Sequence, residues 1–271
     1  MDFSEINTRG LVLLGCGKMG SALLEGWLKG GVDAGAVYVL DPNPSDWVKG
    51  QGVHVNEDLP ENPAIVLLAV KPQMMGDALP RMVALGNGET LFLSIAAGTS
   101  IQHFEDALGA NTPIVRSMPN TPAAVGKGIT AIIGNGRTTT AHLDLADGLL
   151  QAVGQVVRLI SEAQIDAVTG VSGSGPAYVF HLIETLAAAG VAQGLPDDMA
   201  MQLAKATVAG AGALAEDAQE SPAQLRINVT SPGGTTAAAL NVLMDEAAGF
   251  PDLLGRAVKA ATERGRELGK Q

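Results

Sequence analysis

The sequence predicts an α/β protein: a doubly wound, mostly parallel sheet with helices on both faces, followed by an all-α domain. Three observations lead there. Short apolar runs alternate with helical patterns through the first part of the chain. A glycine-rich loop joins the first run to the first long helical pattern. After about Ile160 the strand pattern stops.

The runs are LVLLG (11–15), AVYVLD (36–41), AIVLLAV (64–70), TLFLSIA (90–96), PIVRSM (113–118), GITAIIG (128–134) and QVVRLI (155–160). Near-continuous Val, Ile and Leu suits strands covered on both faces. Between them, KMGSALLEGWLKGG and QMMGDALPRMVALG read as helices. Beyond Ile160 the chain is rich in Ala, Leu and Gly, with helical periodicity over 161–193, 197–219, 222–229, 233–247 and 250–268. Pro176, Pro196, Pro222, Pro232 and Pro251 each stand where a helix can begin, at its first turn. The shift in composition divides the chain into residues 1–160 and 161–271, with no long linker between them.

Composition bounds the function. Of 271 residues, 46% are apolar, enough for a sizeable core without covalent staples. The one cysteine, Cys16, excludes an internal disulfide and suits a reducing cytoplasm. A net charge of −11 argues against a chain whose main work is holding nucleic acid or an anionic membrane. The opening MDFSEINTRG carries acidic residues and no apolar run, so it is not read as a signal peptide. Lys205, Glu216 and glycines interrupt the most apolar helical stretches before the ~20 residues a membrane span needs. The expectation is a soluble, cytoplasmic protein. The helical half has few aromatics and many small side chains, so its own core is thin. A second copy of the chain packed against it would remedy that, and a homo-oligomer is expected. The alternative is a compact monomeric bundle docked on the first domain.

The glycine loop is Gly15-Cys16-Gly17-Lys18-Met19-Gly20, a G-x-G-x-x-G between a predicted strand and a predicted helix. Its glycines permit a tight turn, close approach of backbone to a pyrophosphate and close helix–strand packing, and the helix N-terminus then faces the phosphate charge. Asp41 ends the second strand, 21 residues past Gly20. A carboxylate there accepts hydrogen bonds from ribose hydroxyls and repels the extra phosphate of NADP, with no arginine nearby to welcome it. NAD therefore stands somewhat ahead. Asp41 could instead cap the turn in DPNP, and both NADPH and NADH stay open as cofactors. AVKPQ (69–73) and SIAAGTS (94–100) fall at the carboxyl ends of the fourth and fifth strands, which line the ligand crevice of such sheets. Lys71 is a candidate contact for cofactor or substrate.

The stretch SPGGTT (231–236) reads as a helix start, and its residues alone suit an anion site and a capped start with no ligand equally. Ser231 can cap the helix, Pro232 suits its first position, and Gly233 and Gly234 leave backbone N–H groups open. Thr235 and Thr236 add hydroxyls. The four histidines (His54, His103, His142, His181) show no metal-ligand spacing and Cys16 has no partner for zinc, so no metal is expected.

The glycine loop, AVKPQ, SIAAG, RSMPNTP (116–122), SGSGPAY (172–178), GLP (194–196) and NVTSPGGTT (228–236), taken together and in this order, resemble the pyrroline-5-carboxylate reductase family over nearly the whole chain. The resemblance implies reduction of 1-pyrroline-5-carboxylate to L-proline with NADPH or NADH, the last step of proline biosynthesis. It implies a Rossmann domain followed by a helical substrate-binding and dimerisation domain, in a homodimer or a higher oligomer such as a decamer. By the same resemblance, Ala69, Val70, Lys71, Pro72, Ala96 and Ala97 lie along the cofactor. Asn56, after the third strand, contacts the adenosine. Glu162, Asn228 and Ser231 to Thr236 surround the substrate, and Thr236 hydrogen-bonds its ring nitrogen, the catalytic role. The sequence departs from the family pattern at Ala206-Thr207, where Gln-Thr is common, and at Asp41, where a small polar or basic residue is usual.

Two rivals are weaker. A β-hydroxyacid dehydrogenase uses a lysine or similar base in its helical domain, but Lys205, the only lysine between 161 and 258, sits in LAKATVAG without a matching polar motif. A silent nucleotide sensor has no reason to keep a small polar helix start far from its glycine loop.

Overall fold

Among the residues described by the computed structural model, 3–269, eight strands form one sheet. They are β1 (Leu11–Leu14), β2 (Val37–Leu40), β3 (His54–Val55), β4 (Ile65–Leu68), β5 (Leu91–Ser94), β6 (Ile114–Met118), β7 (Gly128–Gly134) and β8 (Gly154–Arg158). Their spatial order is β3-β2-β1-β4-β5-β6-β7-β8. The first six are parallel, β7 runs antiparallel to β6, and β8 pairs parallel with β7. Chain order reverses between β1 and β4, and sheets of this kind bind ligands at the carboxyl ends of the strands beside such a point.

Every residue of β1, β4 and β5 is buried, which is why those segments read as unbroken apolar runs. Alternate side chains feed two cores. Leu11, Leu13, Ile65 and Leu67 join Leu23, Leu24 and Trp27 on one face; Val12, Leu14, Val66 and Leu68 join Phe92 and Phe104 on the other. The helices covering the sheet are α1 (Ser4–Arg9), α2 (Lys18–Gly30), α3 (Asp46–Lys49), α4 (Met75–Ala78), α5 (Ile101–Leu108), α6 (Thr140–Gln151) and α7 (Ile165–Val168). The indole N–H of Trp27 donates to the Leu149 carbonyl at 2.8 Å, tying α2 to α6 inside the core. The helix expected over QMMGDALPRMVALG is broken: only α4 is α-helical, flanked by tighter 3₁₀ turns at Pro72–Met74 and Leu79–Leu85. Pro72 and Pro80 lack the N–H an α-helical ladder needs.

The remaining helices are α8 (Gly175–Ala192), α9 (Asp197–Asp217), α10 (Pro222–Asn228), α11 (Thr235–Leu243) and α12 (Phe250–Leu268). The single helix expected over 161–193 is in fact a 3₁₀ turn at Glu162–Gln164, then α7, a π-helical stretch at Thr169–Gly173, and α8. Pro196 caps α9 from outside it, and Pro232 lies in the turn before α11; the other three prolines occupy first turns as expected.

Contacts group the chain into two compact units, one running to Gly173 and taken up again from Thr262, the other Ser174–Ala261. This differs from the 160/161 division read from composition. The reason is local: Glu162 bonds to Arg116 and to the backbone of Ile101, and Asn120 donates to the Ser172 carbonyl, so residues 161–173 belong with the sheet. In the second unit the buried hydrophobic cluster is Ala187, Ala200 and Ala204, where α8 and α9 pack together. Phe180 is 60% exposed and Val242 71%.

Candidate functional site

The glycine loop explains itself atom by atom. A Cβ on Gly15, whose φ is +92°, would stand 2.9 Å from the Ala69 carbonyl oxygen. A Cβ on Gly20 would stand 2.6 Å from the Gly15 oxygen. Both glycines are therefore demanded by packing of the loop against β4 and α2. Gly17 differs, since a Cβ there meets nothing within 4 Å. Its backbone faces open space, and as N-cap of α2 it offers no side-chain acceptor to the first N–H groups of the helix. Free N–H donors beside a bare backbone fit a pyrophosphate. Met19 packs on the core, and Lys18 opens α2 with an exposed side chain. Cys16 is buried, and its thiol is pushed up from the ordinary value, first by desolvation and further by the nearby Asp41 charge, against a lowering hydrogen bond from Ser21.

Asp41 follows β2 and its two oxygens are engaged. One accepts the Cys16 N–H at 2.7 Å and the other the Asn43 N–H at 2.8 Å, so it both caps the DPNP turn and braces the glycine loop. Each carboxylate oxygen retains further acceptor capacity. Asn56 grips the backbone of the same residue, accepting the Asp41 N–H at 3.0 Å and donating to the Asp41 carbonyl at 2.8 Å.

Ala69 and Val70 leave β4 against Gly15, and the Ala69 N–H donates to the Leu14 carbonyl. Lys71 is the exposed N-cap of the turn that begins at Pro72. After β5, Ala96 is buried with its N–H on the Ser94 hydroxyl, and Ala97 is exposed. The residues expected at the cofactor thus lie at the carboxyl ends of β1, β2, β3, β4 and β5.

Glu162 lies in the first unit. Its Oε1 accepts from Arg116 Nη1 at 2.6 Å and from the Ile101 N–H, in the first turn of α5, at 2.9 Å. Arg116, on β6, is 8% exposed. The sequence analysis names Glu162 but not its partner, Arg116, which opens RSMPNTP and lies 46 residues away.

Asn228 and Ser231–Thr236 belong to the second unit. Asn228 ends α10 and accepts from the Gln224 side chain at 2.8 Å. Ser231 is not the cap expected of it. The Ser231 carbonyl accepts the Gly234 N–H at 3.0 Å, closing a turn with Pro232 second and Gly233 third at φ +69°. That placement is the signature of a type II turn. Gly234 becomes the N-cap and α11 starts at Thr235 with no side-chain cap. The Gly234 N–H, expected to be open, is spent on this turn, while the Thr235 and Thr236 N–H groups at the start of a nine-residue helix have no side-chain cap and suit an anion.

No described helix is long and apolar enough to cross a membrane. The family model for pyrroline-5-carboxylate reductase dimerisation matches residues 162–268, and a model described as NADP oxidoreductase, coenzyme F420-dependent, matches residues 10–98. The pyrroline-5-carboxylate reductase of Pseudomonas aeruginosa is 38% identical over 272 residues, covering 98% of this chain and 99% of that one. That of Synechocystis is 45% identical over 216 residues, covering 80% and 79%. Among solved structures, a pyrroline-5-carboxylate reductase from Coxiella burnetii superposes with a TM-score of 0.91 at 35% identity, covering 97% of this chain and all of that one. The Plasmodium falciparum pyrroline carboxylate reductase with NADP bound gives 0.81 at 28% identity, covering 97% and 99%. With a glycine cradle shaped for a dinucleotide and relatives this similar from end to end, the chain belongs to the pyrroline-5-carboxylate reductase family.

Proposed function

We infer that this protein reduces the C=N bond of 1-pyrroline-5-carboxylate to give L-proline, at the expense of NADPH or NADH. The end-to-end similarity to reductases of that name carries the reading, and the open Gly17 backbone at the start of α2 supports it.

When bound, NAD(P)H supplies the hydride. The chain supplies place. Gly15 to Gly20 and the N-terminus of α2 hold the pyrophosphate; Asp41 and Asn56 flank the adenosine side. Ala69 to Pro72, Ala96 and Ala97 line the strand ends along which the rest of the cofactor lies. In the second unit, the unblocked N–H groups of Thr235 and Thr236 bind the substrate carboxylate, with Gly233 leaving room and Gly234 closing the turn before them, and the Thr236 hydroxyl hydrogen-bonds the ring nitrogen. Ser231, Thr235 and Asn228 shape the same stretch. Glu162 acts through Arg116 and α5. A protonated iminium accepts hydride readily, so a strong enzyme acid is not needed, and orientation with water excluded can supply on the order of 7–11 kcal/mol.

Two copies associate through the helical unit, whose apolar side chains (Phe180, Leu203 and Val242 among them) are left exposed by one chain. Assembly beyond a dimer, with a decamer as the family's example, and a cytoplasmic setting belong to the same proposal. The test is consumption of NADH and NADPH by the full chain on adding the imine, with L-proline identified by chiral chromatography. Turnover yielding L-proline is expected. Cofactor binding without turnover would contradict the reading and favour a nucleotide sensor.

A further inference from the structure

We propose that the chain selects NADH over NADPH by a carboxylate locked in place, and that Asn56 is the positioning residue that locks it. The proposal rests on the dinucleotide site assigned above.

Asp41 is immobilised from both ends. Its carboxylate takes N–H groups from the glycine loop and from the following turn, at 2.7 and 2.8 Å. Its backbone N–H and carbonyl are both held by the Asn56 side chain, at 3.0 and 2.8 Å. Asn56 reaches it from an unusual conformation. Its φ is +56°, and among the described residues only one other non-glycine, Asn87, has a positive φ. Asparagine tolerates that region better than most side chains, but the conformation still persists only where surrounding bonds enforce it. Here the Asn56 N–H continues the β3–β2 ladder onto the Val39 carbonyl at 2.9 Å while the side chain folds back on Asp41. Four hydrogen bonds thus converge on one residue at the end of β2.

A carboxylate in that position accepts from ribose hydroxyls and opposes a phosphate on the same sugar. A mobile aspartate could swing away from a 2′-phosphate; this one is pinned to Cys16. Nor does the neighbouring chain offer compensation. Residues 41–46 read DPNPSD, adding a second aspartate and no cation. The nearest downstream lysine, Lys49, pairs with Asp46 at 3.2 Å.

The test is equilibrium binding of NADH and NADPH to the full chain, followed by nicotinamide fluorescence or calorimetry and independent of turnover. NADH is expected to bind tighter by on the order of 30-fold or more, the size of a charge-assisted hydrogen bond gained against a repulsion. Asp41→Ser should weaken NADH, strengthen NADPH and close most of that ratio. Asn56→Ala should narrow the ratio several-fold. A merely structural asparagine would weaken both nucleotides equally, leaving the ratio fixed; that result, or NADPH binding as tightly as NADH to the unaltered chain, overturns the proposal. Binding of neither nucleotide removes the dinucleotide site itself, and the selectivity with it.

Discussion

In the first unit Trp27, Phe92 and Phe104 are fully buried; in the second the buried hydrophobic side chains are Ala187, Ala200 and Ala204, while Phe180 stands 60% exposed. Both regions are apolar in sequence. The difference is what each does with that apolarity. The sheet-bearing unit closes two cores over its own strands, so its stability is internal. The helical unit uses alanines to bring α8 and α9 close and leaves its larger side chains outward, as expected of a surface completed by another chain.

The comparison breaks most visibly in the sheet. Phe92→Ala should cost about 3–5 kcal/mol in denaturant unfolding, the usual range for a fully buried phenylalanine. A loss under roughly 1 kcal/mol would mean the first unit is not held together from inside. Glu162→Ala should come next. It strands the nearly buried Arg116, where breaking a fully buried pair costs roughly 3–5 kcal/mol. With the Glu162 side chain 33% exposed, the loss is expected at or below the lower end of that range. Its readout is thermal unfolding, and a Glu162→Gln variant should recover part of the loss by still accepting from the guanidinium.

Thr236→Ala sharpens the functional half. Loss of one hydrogen bond to the ring nitrogen should lower kcat about 10- to 100-fold, with the NADH Kd unchanged. Equal turnover would remove Thr236 from its role. Phe180→Ser should change the unfolding of a single chain by less than about 0.5 kcal/mol yet shift the assembly toward smaller species in sedimentation at equal concentration. An unchanged distribution would place the contact elsewhere. Smallest is Cys16: burial pushes its thiol up from the ordinary value and so disfavours the reactive thiolate. Alkylation near pH 8 should then be slower in the folded chain than in denaturant.

Much of this was legible beforehand, for physical reasons. Strands buried on both faces must be Val, Ile and Leu throughout, so β1, β4 and β5 announce themselves; β3 has two residues and no run to offer. The glycine loop was readable because packing permits no side chain at Gly15 or Gly20. The pairing of Arg116 with Glu162 spans 46 residues, and no local pattern encodes it. The helix read over 161–193 failed where Gly170, Gly173 and Gly175 follow one another, since apolar spacing alone does not register a π-helical break. Ser-Pro-Gly serves a helix cap and a type II turn equally well in sequence, and the positive φ of Gly233 decides for the turn at Ser231.

The most direct test of the account is a crystal structure of the full chain with NADH and L-proline. The account predicts the proline carboxylate within hydrogen-bond distance of the backbone N–H groups of Thr235 and Thr236, and the pyrophosphate over Gly17. Proline bound away from residues 231–236, in whichever protomer, would contradict it.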